Sequence, residues 1–219
     1  KKIASIEGKF RLRFMTSHPK DFSEELAKVM SENPKICRNL HLPVQSGSDE
    51  VLKAMNRKYT SKDYLAKIEI LRKYIPDCAG TTDLIVGFPG ETEEDFEATL
   101  ELVKKVNFSS AFTFVYSRRE GTVAARMENQ IPEEVSKRRI MKLVELVNSL
   151  TRAHSSNYEG KTVEILCEGF DEKKRMYLGR DEYGRMGYFK SETDVIGEFI
   201  NIKIQKTNGV SLIGDRVQG

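Results

Sequence analysis

Apolar and polar residues follow two rhythms along this chain, and the change of rhythm near Tyr158 divides it. In the first part, four short runs alternate with a period of two: FRLRFMTS (10–17), NLHLPVQS (39–46), TTDLIVGF (81–88) and AFTFVYS (111–117). Successive strand side chains point to opposite faces, so these runs read as strands. Between them apolar residues recur at three- and four-residue intervals, which marks amphipathic helices. DFSEELAKVMSEN sets Phe22, Leu26, Val29 and Met30 on one face, and TEEDFEATLELVKKV does the same with Phe96, Leu100 and Val103. SDEVLKAMN and SKDYLAKIEILRKY supply helices after the second run. Pro132 to about Tyr158 is a longer helix, with Val135, Ile140, Leu143, Val144, Leu146, Val147 and Leu150 inward. Asp21, Ser48, Ser61 and Thr92 are N-cap types followed by acidic residues, and Thr92 with Asp95 forms a capping-box pattern. Strands alternating with helices predict βα units and a parallel sheet.

From Gly160 the pattern becomes five short strand-like runs separated by Gly, Asp and Asn turns: KTVEILCEG, RMYLGRD, GRMGYFK, EFINIKIQKT and GVSLIGDRV. That spacing predicts a small five-stranded antiparallel β-barrel. The expected organisation is therefore α/β: a βα domain over 1–158 and a β-barrel over 159–219.

Parity sorts the first four strands into two faces. Leu12, Phe14, Leu40, Leu42, Val44, Leu84, Val86, Phe88, Phe112, Phe114 and Tyr116 form an apolar set, expected under the helices. Arg11, Arg13, Ser17, His41, Gln45, Thr81, Asp83, Thr113 and Ser117 form a polar set facing away from them. A doubly wound sheet is apolar on both faces, and a closed αβ barrel fills its lumen with branched aliphatics. A half-polar inner face predicts instead a curved, partial and open parallel βα barrel whose lumen holds a polar ligand. Left unpaired, each such buried group would cost about 1–3 kcal/mol. Ligands of αβ barrels bind at the C-terminal strand ends, which here read TSHP, VQSGS, GFPGET and YSRREGT. GFPGET lacks the Lys-Ser/Thr of a phosphate loop, so its glycines are assigned to a tight turn.

Composition narrows the class without naming it. Of 219 residues, 39% are hydrophobic and 32% charged, as in a soluble globular protein, and the net charge is only +3. From Gly160 onward ten Lys/Arg balance ten Asp/Glu, so the excess lies upstream. No stretch approaches the ~18 apolar residues of a membrane span. Cys37, Cys78 and Cys167 are scattered, which fits a reducing, cytoplasmic setting with neither a disulfide framework nor a zinc knuckle.

HLPVQSGSDEVLKAMNRKYT, TTDLIVGFPGETEEDF and YSRREGT resemble the radical S-adenosylmethionine (SAM) methylthiotransferases, and the β-rich tail resembles their TRAM domain, an RNA-binding barrel. The resemblance spans essentially the whole chain and implies four of the six βα units of a partial barrel. RFMTSHPKDF with HLPVQSGS is most similar to the branch that places a methylthio group on C2 of isopentenyladenosine at position 37 of the tRNA anticodon loop. Carried over position by position, the resemblance implies that Gln45 and Asp83 hold the SAM ribose and that Arg57 meets the methionine carboxylate. It further implies that Ser17 reaches the amino group, and that Ile85 with the Tyr116–Ser117 backbone flanks adenine. A guanidinium suits a carboxylate through paired hydrogen bonds. His18 and His41 read as structural. Arg118 and Arg119, past the fourth strand, are candidate tRNA contacts. So are Arg175, Arg180 and Arg185 in the tail, where basic residues and Tyr177, Tyr183, Tyr188 and Phe189 interleave.

One departure is large. The family's C-x-x-x-C-x-x-C motif, which ligates a 4Fe-4S cluster through three thiolates, has no counterpart here. The clusters of the intact enzyme, expected to act as a monomer, would then be bound outside this chain, and the chain by itself is expected to be inactive. Three further readings stand beside this one: modification of ribosomal protein S12, modification of threonylcarbamoyl-adenosine tRNA, and a non-catalytic RNA-binding module.

Overall fold

Residues 39–115 build a parallel sheet, and residues 162–216 close into a barrel. The computed structural model describes residues 1–16 and 18–217. In chain order the elements are α1 (Glu24–Glu32), β1 (Asn39–His41), α2 (Asp49–Ala54), α3 (Ser61–Tyr74), β2 (Ala79–Val86), α4 (Glu93–Val106), β3 (Ser110–Val115) and α5 (Glu133–Ser156). The barrel follows as β4 (Thr162–Asp171), β5 (Met176–Arg180), β6 (Met186–Phe189), β7 (Phe199–Asn208) and β8 (Ser211–Arg216).

The sheet order is β1-β2-β3, all parallel, as strands joined by helices require. The run at 10–17 is not a full strand. Leu12 makes a single parallel bridge to Ile36, and the side chains of the flanking Arg11 and Arg13 reach the barrel. Arg11 Nη2 donates to the Glu164 carbonyl at 2.8 Å and Arg13 Nη2 to that of Asp181 at 2.7 Å. β1 is likewise shorter than the alternation predicts, since Pro43 has no N–H to give. The Thr82 hydroxyl fills the gap, donating to the Leu42 carbonyl at 3.0 Å and accepting from the Val44 N–H at 2.9 Å. The ladder resumes at Gln45, which bridges to Leu84.

Helix starts differ from expectation at two places. Ser23, not Asp21, caps α1, and Thr60, not Ser61, caps α3 through a capping box with Asp63. Ser48 and Thr92 cap α2 and α4 as expected, the latter with Asp95.

One strand's parity is reversed. Register places Asp83 beside Phe112 and Ile85 beside Phe114. Neighbours in a parallel sheet share a face, so Phe112 and Phe114 lie on the polar side, where both are exposed and Phe112 meets His41 edge-on at 6.0 Å. The helix side of β3 carries the smaller Ala111 and Thr113. Parity divides a strand into two sets but does not say which set faces the helices.

All five tail strands form at their expected places, and the barrel closes in the order β4-β5-β6-β8-β7. It is mixed rather than antiparallel. After β6 the chain crosses to β7, which pairs with β4, and β8 turns back to lie parallel to β6. Two apolar cores result, with no residue in common. One is built on Leu40, Leu42, Leu84, Phe96, Val103 and Leu143, the other on Ile165, Phe189, Ile202, Ile204 and Leu212. No helix among the described residues is long and apolar enough to cross a membrane.

Candidate cofactor site

The polar face comes together at the C-terminal ends of β1, β2 and β3. Gln45 donates its N–H to the Asp83 carbonyl and accepts at its own carbonyl from the Ile85 N–H, both at 2.9 Å. Three of the expected cofactor residues are thus locked to one another by backbone. Gln45 is buried and has φ of 73°, a left-handed conformation unusual for a side chain of its size. No hydrogen bond among the described residues uses its side-chain amide. Asp83 faces His41, whose Nε2 lies 3.5 Å from Oδ2 while Nδ1 lies 3.0 Å from the Thr81 hydroxyl. His41 is therefore a neighbour of the candidate ribose carboxylate, a relation that required the register of β1 on β2.

Above these residues opens a cavity of about 600 Å³. Arg57, Ile85, Phe88, Tyr116, Ser117 and Arg119 are among those that line it. Arg57, from the turn after α2, and Ile85, from β2, thus face the same space as the end of β3. The Tyr116 ring packs edge-on against Phe88 at 5.2 Å, and its hydroxyl is buried without a partner. Arg57 has no ion pair among the described residues. An unpaired guanidinium on the lining and an orphaned hydroxyl on a lining residue, beside the uncommitted amide of neighbouring Gln45, fit a ligand carrying a carboxylate, as SAM does. Ser17 lies outside the described residues.

The walls are held by close packing and buried polar contacts. Gly47 presses on α4 so tightly that a Cβ there would lie 2.6 Å from Thr99 Cα. Its N–H donates to the Thr99 hydroxyl at 3.0 Å, and buried Ser46 lies 3.2 Å from the same oxygen. Gly87 has φ of 74° and sits against Ser136 of α5, which fits the turn role expected of GFPGET. Glu91, buried, accepts from the Gly87 N–H at 3.0 Å and from Arg139 Nη1 at 2.7 Å. Burial pushes the Glu91 carboxyl above the usual carboxylate range, against the pull of the Gly87 N–H and Arg139. This pair escaped the sequence reading, in which Glu91 was only part of a turn motif and Arg139 only a position between apolar helix residues.

The candidate RNA residues separate into groups. Arg118 and Arg119 are exposed beyond β3. Arg175 is exposed and lines an open concavity of about 900 Å³ on the barrel with Phe170, Tyr177, Lys190 and Arg216. Arg180 pairs with Glu168 at 2.5 Å. Arg185 corrects the expectation: it is buried, donates to the Ser155 hydroxyl at 2.8 Å and stacks 5.1 Å from the Tyr158 ring. Its charge holds the barrel to α5 and is not presented to a partner.

Cys37, Cys78 and Cys167 are all free, and no group of His, Cys, Asp or Glu among the described residues has metal-binding geometry. These side chains do not fit an iron–sulfur cluster.

Comparison with known proteins agrees with this geometry. The Radical SAM superfamily model matches residues 1–103 and the TRAM domain model residues 156–217. The tRNA-2-methylthio-N(6)-dimethylallyladenosine synthase of Clostridium novyi is 50% identical over 97% of this chain and 47% of its own length. Its counterpart in Caldicellulosiruptor saccharolyticus is 47% identical over 98% of this chain and 45% of its own length. The chain thus spans about half the length of the curated relatives it matches. Among solved structures, coproporphyrinogen III oxidase from Escherichia coli, a radical SAM enzyme, superposes with a TM-score of 0.52 at 18% identity, covering 90% of this chain and 46% of that one, which is a likeness of fold. Motifs, both domain matches and relatives of about half identity agree: the chain carries a Radical SAM superfamily match followed by a TRAM domain match, and along nearly its whole length it is similar to tRNA-2-methylthio-N(6)-dimethylallyladenosine synthases.

Proposed function

We propose that this chain is the SAM- and tRNA-binding half of a cytoplasmic enzyme that places a methylthio group on C2 of N(6)-dimethylallyladenosine in the tRNA anticodon loop. The observation that carries this reading is the convergence of Arg57, Ile85, Tyr116 and Ser117 on one cavity beside the interlocked Gln45 and Asp83. Arg57 pairs with the methionine carboxylate, its fork suited to two parallel hydrogen bonds. Asp83 accepts from the ribose diol, and His41 on its other side restrains the carboxylate. Gln45 offers its free amide to the same sugar. Ile85 covers one face of adenine and the Tyr116–Ser117 backbone borders its edge. SAM held there supplies the transferable methyl group and the deoxyadenosyl group of the family's chemistry.

The tRNA meets the barrel at the concavity of Arg175, Lys190 and Arg216, with Phe170 and Tyr177 available for stacking, and approaches the cavity past Arg118 and Arg119.

Calorimetric titration of SAM into this chain tests the cofactor half. Saturable one-to-one binding is expected, weakened roughly 10- to 100-fold in Arg57→Met and Asp83→Asn, since hydrogen bonds to charged groups contribute about 1.5–3 kcal/mol each. Absence of binding, or binding indifferent to both substitutions, would end the assignment. Nucleoside mass spectrometry of tRNA from a deletion strain tests the substrate. Loss of the methylthio nucleoside is expected, whereas intact tRNA with loss of an S12 modification would transfer the reading to the protein-modifying branch.

A further inference from the structure

The buried pair between Glu91 and Arg139 joins two parts of the molecule that its motifs leave separate. Arg139 is on α5, beyond the residues that match the Radical SAM model. Its side chain is 5% exposed and that of Glu91 2%. Nη1 binds Glu91 Oε1 at 2.7 Å and the Glu91 carbonyl at 3.1 Å, and Nη2 binds Glu93 Oε2 at 3.1 Å. The guanidinium therefore clamps the start of α4 and the end of the GFPGET turn together. Glu91 passes the restraint on, because the same Oε1 accepts from the Gly87 N–H at 3.0 Å. One residue further lies Phe88, which lines the cavity and packs on Tyr116. The path from α5 to the cavity wall thus runs Arg139, Glu91, Gly87, Phe88.

The other end of the same helix holds the barrel. Ser155 contacts the Gly209 carbonyl at 2.5 Å and accepts from Arg185 at 2.8 Å. Arg139 and Ser155 are about 24 Å apart along the axis at 1.5 Å per residue. A buried ion pair is a weak source of net stability, because desolvating both charges offsets their attraction. What it supplies here is geometry: one guanidinium holds the Glu91 carboxylate, the Glu91 carbonyl and the Glu93 carboxylate at once.

We infer that Arg139 is a positioning residue for the cofactor cavity, fixing the Gly87–Phe88 wall through Glu91. The inference rests on the proposed SAM site and adds to it a determinant on the helix that carries the barrel. The test uses the same chain. The SAM dissociation constant is measured well below the thermal midpoint for wild type, Arg139→Met and Glu93→Gln, with Gly87 amide exchange by NMR and the affinity for an anticodon stem-loop measured alongside.

Arg139→Met is expected to raise the SAM dissociation constant at least tenfold and to speed Gly87 exchange, with RNA affinity within twofold of wild type. Glu93→Gln removes only the exposed arm of the clamp and is expected to stay within threefold for SAM. A residue with a merely structural role would lower the thermal midpoint and leave the SAM constant alone. If Arg139→Met does not fold, the double variant Glu91→Gln/Arg139→Met, which leaves no unpaired buried charge, carries the same expectations. SAM affinity within twofold of wild type, with Gly87 exchange accelerated, would overturn the inference alone. A wild-type chain that binds no SAM would remove the proposed function and this inference with it.

Discussion

Replacing Gly47 with alanine probes the tightest contact in the candidate site. A Cβ at this position would lie 2.6 Å from Thr99 Cα and 2.8 Å from the Ala98 carbonyl carbon, both backbone atoms of α4. Neither can rotate away, so the loop must withdraw. Withdrawal lengthens the 3.0 Å bond from the Gly47 N–H to the Thr99 hydroxyl and the 3.2 Å contact of Ser46 with the same oxygen. Overpacking of this kind costs about 1–3 kcal/mol, and a buried N–H left without its acceptor costs about 1–3 kcal/mol more. The sum is about 2–6 kcal/mol, at least a ~30-fold shift toward the unfolded state. The chain has no Trp, and two separate cores need not unfold together, so a global fluorescence melt is the wrong assay. Hydrogen exchange at Leu100 and Val103, buried in α4, reads the affected unit directly, with Ile202 of the barrel as an internal control. Exchange in α4 should accelerate at least 30-fold while Ile202 stays unchanged. Protection in α4 within threefold of wild type would refute the argument that the backbone contact is rigid. SAM affinity should fall in the same variant, because the displaced loop begins at Gln45.

Three further outcomes follow from particular contacts. Partial burial pushes the Cys78 thiol up to about 12, so little thiolate forms there at pH 8. Iodoacetamide labelling followed by mass spectrometry should modify Cys78 much more slowly than free cysteine, and labelling at the free-thiol rate would contradict the raised thiol. Burial also holds His154 below the ordinary imidazole range while its Nε2–H donates to the Asn107 carbonyl at 3.1 Å. The unfolded chain therefore takes up the proton first, and stability should be lost as pH falls through about 6.5. His154→Gln should flatten that segment of the unfolding curve. Finally, the two tail arginines should part company. Arg175→Ala should weaken RNA binding and lower its salt slope by about 0.7–0.9 without changing stability. Arg185→Ala should destabilise the joint by about 1–3 kcal/mol through the groups it leaves unpaired. The reverse assignment of the two phenotypes would show that the burial of Arg185 has been misread.

The local rules of the chain made most of the architecture legible. Period-two runs and helical stripes located β1–β3 and α1–α5, and Gly-punctuated runs located all five barrel strands. Long-range pairing was harder to read. That β8 returns parallel to β6 depends on which strand the chain crosses, and no residue near 211–216 encodes that choice. The reversed face of β3 arose likewise, because Phe112 and Phe114 obey the alternation while register alone decides which side is open. At the site, Gln45 and Asp83 were visible as polar residues on strands with an apolar face, while Arg57, in a polar turn, was reached only through the motif resemblance. Arg139 was not, since an arginine on an amphipathic helix reads as solvated until a buried carboxylate is found opposite it. Arg185 failed for the mirror reason: basic residues among aromatics suit both RNA contact and a buried joint.

The two apolar cores that share no residue have a consequence for how such a chain can be rearranged. Much of what joins the two parts is polar: Arg11 to the Glu164 carbonyl, Arg13 to the Asp181 carbonyl and Arg185 to the Ser155 hydroxyl, with Lys9 and Arg11 also lying over the Phe199 ring. Hydrogen bonds exchange readily with water and contribute little net stability, whereas a shared apolar interface would leave a wound on each side when cut. The joint is therefore the place to attempt a barrel exchange. A foreign barrel would have to meet Arg11, Arg13 and Ser155, and also replace the Tyr183–Asp77 hydrogen bond and the ring of Phe199, while the two interiors themselves need no shared residue.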